Sequence, residues 1–274
     1  MRGRRLHPVL RAVINLVVTV AIVLLIWQVI VWLAPHQIAK GPADVWQHLF
    51  VSNPNAVVFS QTAAGIRANL ARWLGQTLAD AGLGFGVGMA IAIILAVVFS
   101  LSRSVEAGVM PFALFLRTVP LVALVPVIDL IVGIGTPASV ATIASIVVLF
   151  PALASVMFGL AQASPQTLDV VSVFGGNRFT QLVLVTAPGA VPSIFAAARV
   201  SVPGAITGAL LAEWLSTGQG LGGELSIFLA SSKFVDLWTA VAGITLLTLV
   251  IYNIVAIVER IVLQAMHMQQ ATDA

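Results

Sequence analysis

The sequence predicts an all-α, polytopic membrane protein with six transmembrane helices and both termini on the inner side. Three observations carry this. The 274-residue chain is 59% hydrophobic and 8% charged, with a mean hydropathy of +1.07. A soluble domain carries about 25% charged residues, so this much apolar surface requires lipid as its solvent. Second, six stretches are each close to the 20 apolar residues that a bilayer core of about 30 Å demands of a helix. Third, Lys and Arg are unevenly distributed between the connecting segments.

The stretches are roughly 12–34, 78–100, 109–133, 139–161, 190–214 and 236–258. Each is helical by necessity, because lipid offers no partner to a backbone amide. The first follows a basic tail, MRGRRLHPVLR (1–11). The run from Ala12 to Leu33 is about 22 residues, too long for a signal-peptide core, and no small-residue cleavage pattern follows it. It is read as a retained span. The hydropathy of 109–161 is nearly continuous and is divided at Gly133-Ile134-Gly135-Thr136-Pro137, where two glycines and a proline make a turn.

With the N-terminus inside, seven basic residues are cytoplasmic: Arg2, Arg4, Arg5, Arg11, Arg103, Arg178 and Arg260. Four are external: Lys40, Arg67, Arg72 and Lys233. The excess favours an N-in, C-in topology. The chain then divides into a cytoplasmic tail (1–11), a first span (12–34), an external segment (35–77), a membrane core (78–260) with a cytoplasmic loop at 162–189, and a second tail (261–274). In the external segment, Pro42-Ala43-Asp44-Val45-Trp46 opens a short surface helix. Trp46, Phe50, Phe59 and Trp73 there suit an interfacial aromatic belt or the docking of an external partner.

Several function classes are excluded. There is no cysteine, hence no disulfide, thiolate metal site or cysteine nucleophile. His7, His36, His48 and His267 are scattered, none at ligand spacing. No G-x4-G-K-[ST] phosphate cradle is present, and no nucleophile–base constellation is visible, so the chain reads as neither an ATPase nor another enzyme. The net charge of +3 does not indicate nucleic acid, since the basic residues flank apolar segments as topology demands.

The loop at 162–189 is the polar connection that is neither short nor linker-like. Ser164 can cap free amides and Pro165 suits a first helical turn. That helix is expected to run to Phe174. Gly175-Gly176 ends it, and Asn177 caps a second helix from Arg178 toward Ala187, with Pro188 marking the start of the next span. Leu168, Val171 and Phe174 recur at three-residue spacing and give one apolar face, suited either to a groove on another protein or to a lipid surface.

Four ionisable residues fall inside predicted spans: Arg117, Asp129, Arg199 and Glu213. Such residues are costly in lipid and face a protein interior or a wet pathway. They can pair and hold helices together, or line a path. Pro120 and Pro126 interrupt the helical ladder of the third span, and broken helices are tolerated where they border a cavity. Residues 117–129 are therefore the favoured pathway wall. Gly82, Gly84, Gly86 and Gly88 form overlapping G-x3-G pairs, and Gly204 and Gly208 form another; packing within one chain and between two copies both fit.

Asp169-Val170-Val171, Gly175, Val185, Ala187 and Pro188 stand at the spacing E-A-A-x3-G-x9-I-x-L-P. This resembles the loop by which membrane subunits of bacterial ABC importers engage a cytoplasmic ATPase. Two further stretches extend the likeness. Arg117 to Pro126 followed by Gly133-Ile134-Gly135 is similar to R-P-x-P-x-x-A-x-x-P…F-G-x-G, with Thr118 and Val132 departing from it. Ala197-Ala198-Arg199-Val200, Ala212-Glu213-Trp214 and Gly218-Gln219-Gly220-Leu221-Gly222 resemble G-L-R-x…A-E…G-x-G-L-G. Pro42-Ala43-Asp44-Val45 resembles the outer P-S-P-x-E-V segment. The chain is identified on these motifs as a resemblance to the nitrate/sulfonate/taurine permeases of ABC importers.

The resemblance implies a type I importer permease fold and a chain that binds no cofactor, ATP being held by a partner subunit. It implies as partners ABC ATPase subunits, a periplasmic or lipid-anchored solute-binding protein and a second permease copy, here expected to be a homodimer in the lipid bilayer. Coupling falls to Leu168, Asp169, Val170, Val171, Phe174, Gly175, Arg178 and Pro188. The expected solute is a small polar molecule, an anion such as a sulfonate, taurine or nitrate, or else a pyrimidine precursor of thiamine. The alternatives are a secondary transporter or channel with Asp129 and Glu213 as an ion relay, and a non-transporting scaffold subunit.

Overall fold

The computed structural model describes residues 8–35, 37–51 and 55–266, with side chains throughout except at 8–17, 19, 112–114, 116 and 117. Arg2, Arg4, Arg5, His7, His36 and His267 therefore lie outside the described residues, as do the side chains of Arg11 and Arg117. Among the described residues the chain is helical, with no strand. Four helical stretches are individually long and apolar enough to cross a bilayer: Ala63–Leu101, Pro137–Ala161, Arg178–Thr217 and Phe234–Ala265. The sequence expectation of six spans meets shorter apolar helices elsewhere: Val20–Leu33, Leu121–Val132 and Gly220–Ala230.

Two compact units divide the chain. The first holds residues 1–71 and 227–243. Helix α1 (Pro8–Leu33) and helix α2 (Pro42–Phe50) belong to it. Pro42 occupies the first turn of α2, where a missing amide proton costs nothing, and the Asp44 carboxylate accepts from the Gly41 amide at 2.7 Å. The Trp27 and Trp238 rings stack at 5.8 Å, and each indole donates to a backbone carbonyl, Trp27 to Lys40 and Trp238 to Ile38. His48 Nε2 lies 3.0 Å from Asp236 Oδ1. Trp46 and Phe50 are exposed and touch each other, and the Arg67 guanidinium covers the Phe50 ring.

The second unit holds residues 72–226 and 244–274. Helix α3 (Ala63–Leu101) supplies most of its own length to this unit; α4 (Arg103–Thr118), α5 (Leu121–Val132), α6 (Pro137–Ala161), α7 (Pro165–Val173), α8 (Arg178–Gln181) and α9 (Ala187–Ala212) follow. Two further helices are α10 (Gly220–Ala230) and α11 (Phe234–Ala265). Helices α6 and α9 pack extensively against each other. Their closeness is built from small residues. Ala144, Ala152, Ala190, Ala197, Ala209 and Ala212 are fully buried. A Cβ on Gly208 would lie 2.9 Å from the Ala144 Cα, and one on Gly159 would lie 2.4 Å from the Ser193 Cβ. Lipid provides no hydrophobic drive between helices, so close backbone approach supplies the attraction.

The glycine pairs of α3 divide between two faces. A Cβ on Gly84 would meet the Ala144 Cβ at 2.4 Å, and one on Gly88 the Ser145 carbonyl oxygen at 2.7 Å. Gly82 and Gly86 meet nothing within 4 Å. The Gly84–Gly88 and Gly204–Gly208 pairs thus serve contacts inside the chain.

Three boundaries differ from the sequence expectation. The second predicted span (78–100) is the C-terminal part of a 39-residue helix, α3, which extends N-terminally through Gln76, Arg72 and Arg67. Hydropathy ends where polar residues begin, but the backbone ladder does not. The third predicted span (109–133) is broken into α4 and α5 at Val119-Pro120. Pro120 has no amide proton and biases the preceding residue away from helix. Pro126 is accommodated inside α5. At 12 residues α5 is about 18 Å long, short of a bilayer core. Finally, the helix beginning at Arg178 does not stop before Pro188. A π turn (Leu182–Thr186) carries it straight into α9. The Ala187 amide donates to the Leu182 carbonyl, a wider closure that shifts the ladder just ahead of the proline.

The predicted turn between α5 and α6 is present. Gly133 and Gly135 have φ of 123° and 70°, and Thr136 caps α6 by accepting from the Ser139 amide at 3.2 Å.

Candidate functional site

The loop between α6 and α9 is a helix, a glycine elbow and a second helix. Ser164 Oγ accepts from the Thr167 amide at 3.4 Å, and Pro165 is the first residue of α7. Gly175 has φ of 80°, in the left-handed region where a side chain adds strain. Gly176 is needed for a different reason: a Cβ there would lie 2.4 Å from Val171 Cγ1. Asn177 Oδ1 then caps α8, accepting from the Thr180 amide at 2.9 Å.

The two arms are lashed together. Gln181 Nε2 donates to the Leu168 carbonyl oxygen at 3.1 Å and to Ser172 Oγ at 2.8 Å. Arg178 donates to the Leu101 carbonyl oxygen at 3.4 Å, tying the loop to the end of α3. A cavity of about 480 Å³ lies at this corner, with Phe99, Arg103, Glu106, Leu168, Arg178 and Gln181 on its walls.

The apolar face of α7 is rotated from the one expected. Leu168 and Val171 are half-buried against the rest of the loop. Val170, Val173 and Phe174 are 56%, 84% and 86% exposed, and Phe179 joins them at 62%. Both sets follow helical spacing, so periodicity alone could not choose between them. The lashing by Gln181 decides it, because it turns the Leu168 side of α7 toward α8. Asp169 is exposed on α7, and Pro188 lies in the continuous helix beyond the π turn.

Among the described side chains, Asp129, Arg199 and Glu213 are not paired with one another. Asp129 is buried and accepts hydrogen bonds from Ser139 Oγ and, at 2.7 Å, from Ser216 Oγ. Arg199 Nε lies 3.1 Å from Glu259 Oε2 on α11. Sequence reading missed Glu259 because it placed the end of the last span at 258; the helix continues to Ala265. Glu213 is fully buried and opens a second π turn, Glu213–Thr217. Its Oε2 accepts from Thr77 Oγ1 and from the Gly222 amide, each at 2.8 Å. Arg117 lies in the last turn of α4, Pro120 stands at the α4–α5 break, and Pro126 lies within α5.

Comparison with known proteins places this geometry. Residues 88–268 match the family model described as binding-protein-dependent transport system inner membrane component. A probable ABC transporter permease protein of Haemophilus influenzae is 28% identical over 224 residues, covering 81% of this chain and 82% of that one. A riboflavin transport system permease protein of Chloroflexus aurantiacus is 27% identical over 253 residues, 92% of this chain and 90% of that one. A putative aliphatic sulfonates transport permease protein of Bacillus subtilis is 24% identical, covering 74% and 69%. In structure, a chain of the inward-facing MetNI methionine ABC transporter superposes with a TM-score of 0.62 at 17% identity, covering 70% of this chain and 95% of that one; this likeness concerns the fold. The family model covers well over half of the sequence, and the chain belongs to the family of binding-protein-dependent transport system inner membrane components, the permease subunits of ABC transporters.

Proposed function

We propose that this chain is the membrane permease of an ATP-driven importer, coupled through residues 165–186 to a separate ATPase. Members of its family are transport proteins, not enzymes, and the work of hydrolysis falls to a partner. The observation that carries the coupling role is the exposed Val170–Val173–Phe174 face on a helix whose opposite side is fixed to its own base. An apolar face of this kind fills a groove on a partner, and its anchoring transmits force rather than absorbing it. With an N-in, C-in topology this loop is cytoplasmic.

The remaining assignments belong to the same reading. An external solute-binding protein delivers the solute, and a second copy of the chain completes the pathway. Arg117 at the end of α4, Pro120 at the break and Pro126 within α5 form the pathway wall. Asp129, Arg199 and Glu213 serve as anchors. An ion relay would need a wet row of carboxylates, whereas Asp129 and Glu213 are buried, with Asp129 Oδ1 and Glu213 Oε2 held by hydroxyl or amide donors. The solute is a small polar molecule, either an anion of the sulfonate kind or an uncharged heterocycle. The named solutes of its relatives span both, and Arg199, a cation that could attract an anion, is already paired with Glu259.

The test is co-expression with candidate ATPase subunits and measurement of ATP hydrolysis stimulated by a binding protein in proteoliposomes. A stable complex with stimulated hydrolysis is expected. Gly175→Pro and Asp169→Arg should insert normally yet lose stimulation; full activity with both changes would remove the docking role.

A further inference from the structure

The segment after α9 doubles back on itself. The π turn closes with the Gly218 amide on the Glu213 carbonyl, and Gly218 and Gly220 have φ of 62° and 64°. Gly222 then lies against the end of α9: a Cβ there would be 2.3 Å from the Leu210 carbonyl oxygen. Residues 178–217 form one helical run of 40 residues, about 60 Å long, far longer than a bilayer core. Residues 213–222 and the loop at 165–186 therefore lie toward opposite faces of the membrane.

The left-handed turn that opens α10 leaves its first amides without helical partners. Two buried side chains supply them. Thr77 Oγ1 accepts from the Leu221 amide at 2.9 Å while donating to Glu213 Oε2, and Glu213 Oε2 accepts from the Gly222 amide. Glu213, Thr77 and Leu221 are all fully buried. A carboxylate at this position also opposes the positive end of the α10 dipole. On its other side, the π turn is held by Ser216 donating to Asp129.

The second carboxylate oxygen behaves differently. Glu213 Oε1 is buried with no hydrogen-bond partner among the described residues, and it is pressed against Gly220, where a Cβ would lie 2.2 Å away. A static brace would satisfy both oxygens. An acceptor left bare in the closed arrangement regains a partner as soon as the segment lifts and water enters, which lowers the cost of opening. The two left-handed glycines supply the hinge.

We propose that Glu213 and Thr77 are positioning residues for a gate formed by residues 218–225, which they latch shut at the membrane face opposite the ATPase-coupling loop. The inference rests on the permease reading for its role in transport, but the latch itself is tested without it. Because the chain has no cysteine, a Leu221→Cys substitution gives a single reporter in the full-length protein. The reagent is a membrane-impermeant maleimide applied to each face of proteoliposomes, with Asp169→Cys in a second sample marking the coupling-loop face.

Slow labelling is expected with Glu213 and Thr77 in place. Glu213→Ala and Thr77→Val should each accelerate it about tenfold, the value of one hydrogen bond of about 1.4 kcal/mol, at the face opposite Asp169→Cys. Glu213→Gln and Thr77→Ser, which keep the acceptor and the hydroxyl, should restore slow labelling. In the assembled transporter the two latch-breaking variants should hydrolyse ATP without the binding protein. Thr77→Val is nearly isosteric and carries the test if Glu213→Ala does not assemble. Equal labelling rates in all variants, or labelling from the coupling-loop face, would overturn the latch. Absence of any ATPase partner would instead overturn the permease reading and leave the labelling result standing.

Discussion

Gln181 donates a hydrogen bond to the carbonyl oxygen of Leu168, 3.1 Å across the glycine elbow. This bond, with its companion to Ser172, ties α8 directly to α7 across the elbow. In the coupling role proposed for this loop, stiffness is what would transmit motion from an ATPase into the membrane.

Gln181→Leu should therefore leave insertion and ATPase binding intact while loosening the lever. The expected result is a drop in solute uptake per ATP hydrolysed, roughly three- to tenfold for the loss of about 1 kcal/mol of restraint. Uptake and phosphate release measured on the same proteoliposomes give this ratio. An unchanged ratio would mean that the bond is incidental.

The two faces of α7 make opposite forecasts. Phe174→Asp or Val173→Asp places a charge on the exposed face and should reduce co-purification of the ATPase about tenfold or more, as expected for truncating a buried interfacial anchor worth about 2 kcal/mol. The free permease should keep its thermal midpoint. Val171→Asp, on the half-buried face, should instead lower that midpoint in the isolated permease. Pull-down and thermal unfolding of the same three variants separate the faces.

Gly86 and Gly88 are two residues apart on α3 and differ completely in surroundings. Gly88→Val forces a side chain into the α6 backbone, and overpacking of this kind costs about 1–3 kcal/mol. Gly86→Val meets open space and should stay within about 0.5 kcal/mol of the parent. Chemical or thermal unfolding in detergent is the measurement. Equal destabilisation by both would contradict the α3–α6 packing.

The Arg199–Glu259 pair joins α9 to α11, with the glutamate almost wholly buried and the arginine about one-third exposed. Arg199→Ala should destabilise the permease by about 2 kcal/mol, the scale of a hydrogen bond to a charged group. The exchange of both residues, Arg199→Glu with Glu259→Arg, should recover part of that loss. Normal stability with abolished uptake in Arg199→Ala would mean that the guanidinium serves solute rather than helix packing.

Much of this molecule was determined by local sequence. The apolar content required lipid, and lipid required helices. Ser164-Pro165, Gly175-Gly176 and Asn177 wrote the α7–elbow–α8 loop nearly residue by residue, because capping and left-handed φ are decided by neighbours in the chain. Gly133 to Pro137 likewise wrote the turn before α6. Other features depended on tertiary contacts. Leu168–Val171 and Val170–Val173–Phe174 are equally helical stripes, and only the bonds from Gln181 to α7 turn one inward. Gly84–Gly88 and Gly82–Gly86 are equivalent as spacing, and only the position of α6 distinguishes them. Arg199 found its acid on α11 and Glu213 found Thr77 on α3, across 136 positions of sequence in the second case. Periodicity says that a residue lies on a face, while the partner that occupies that face is set by how the helices pack in three dimensions.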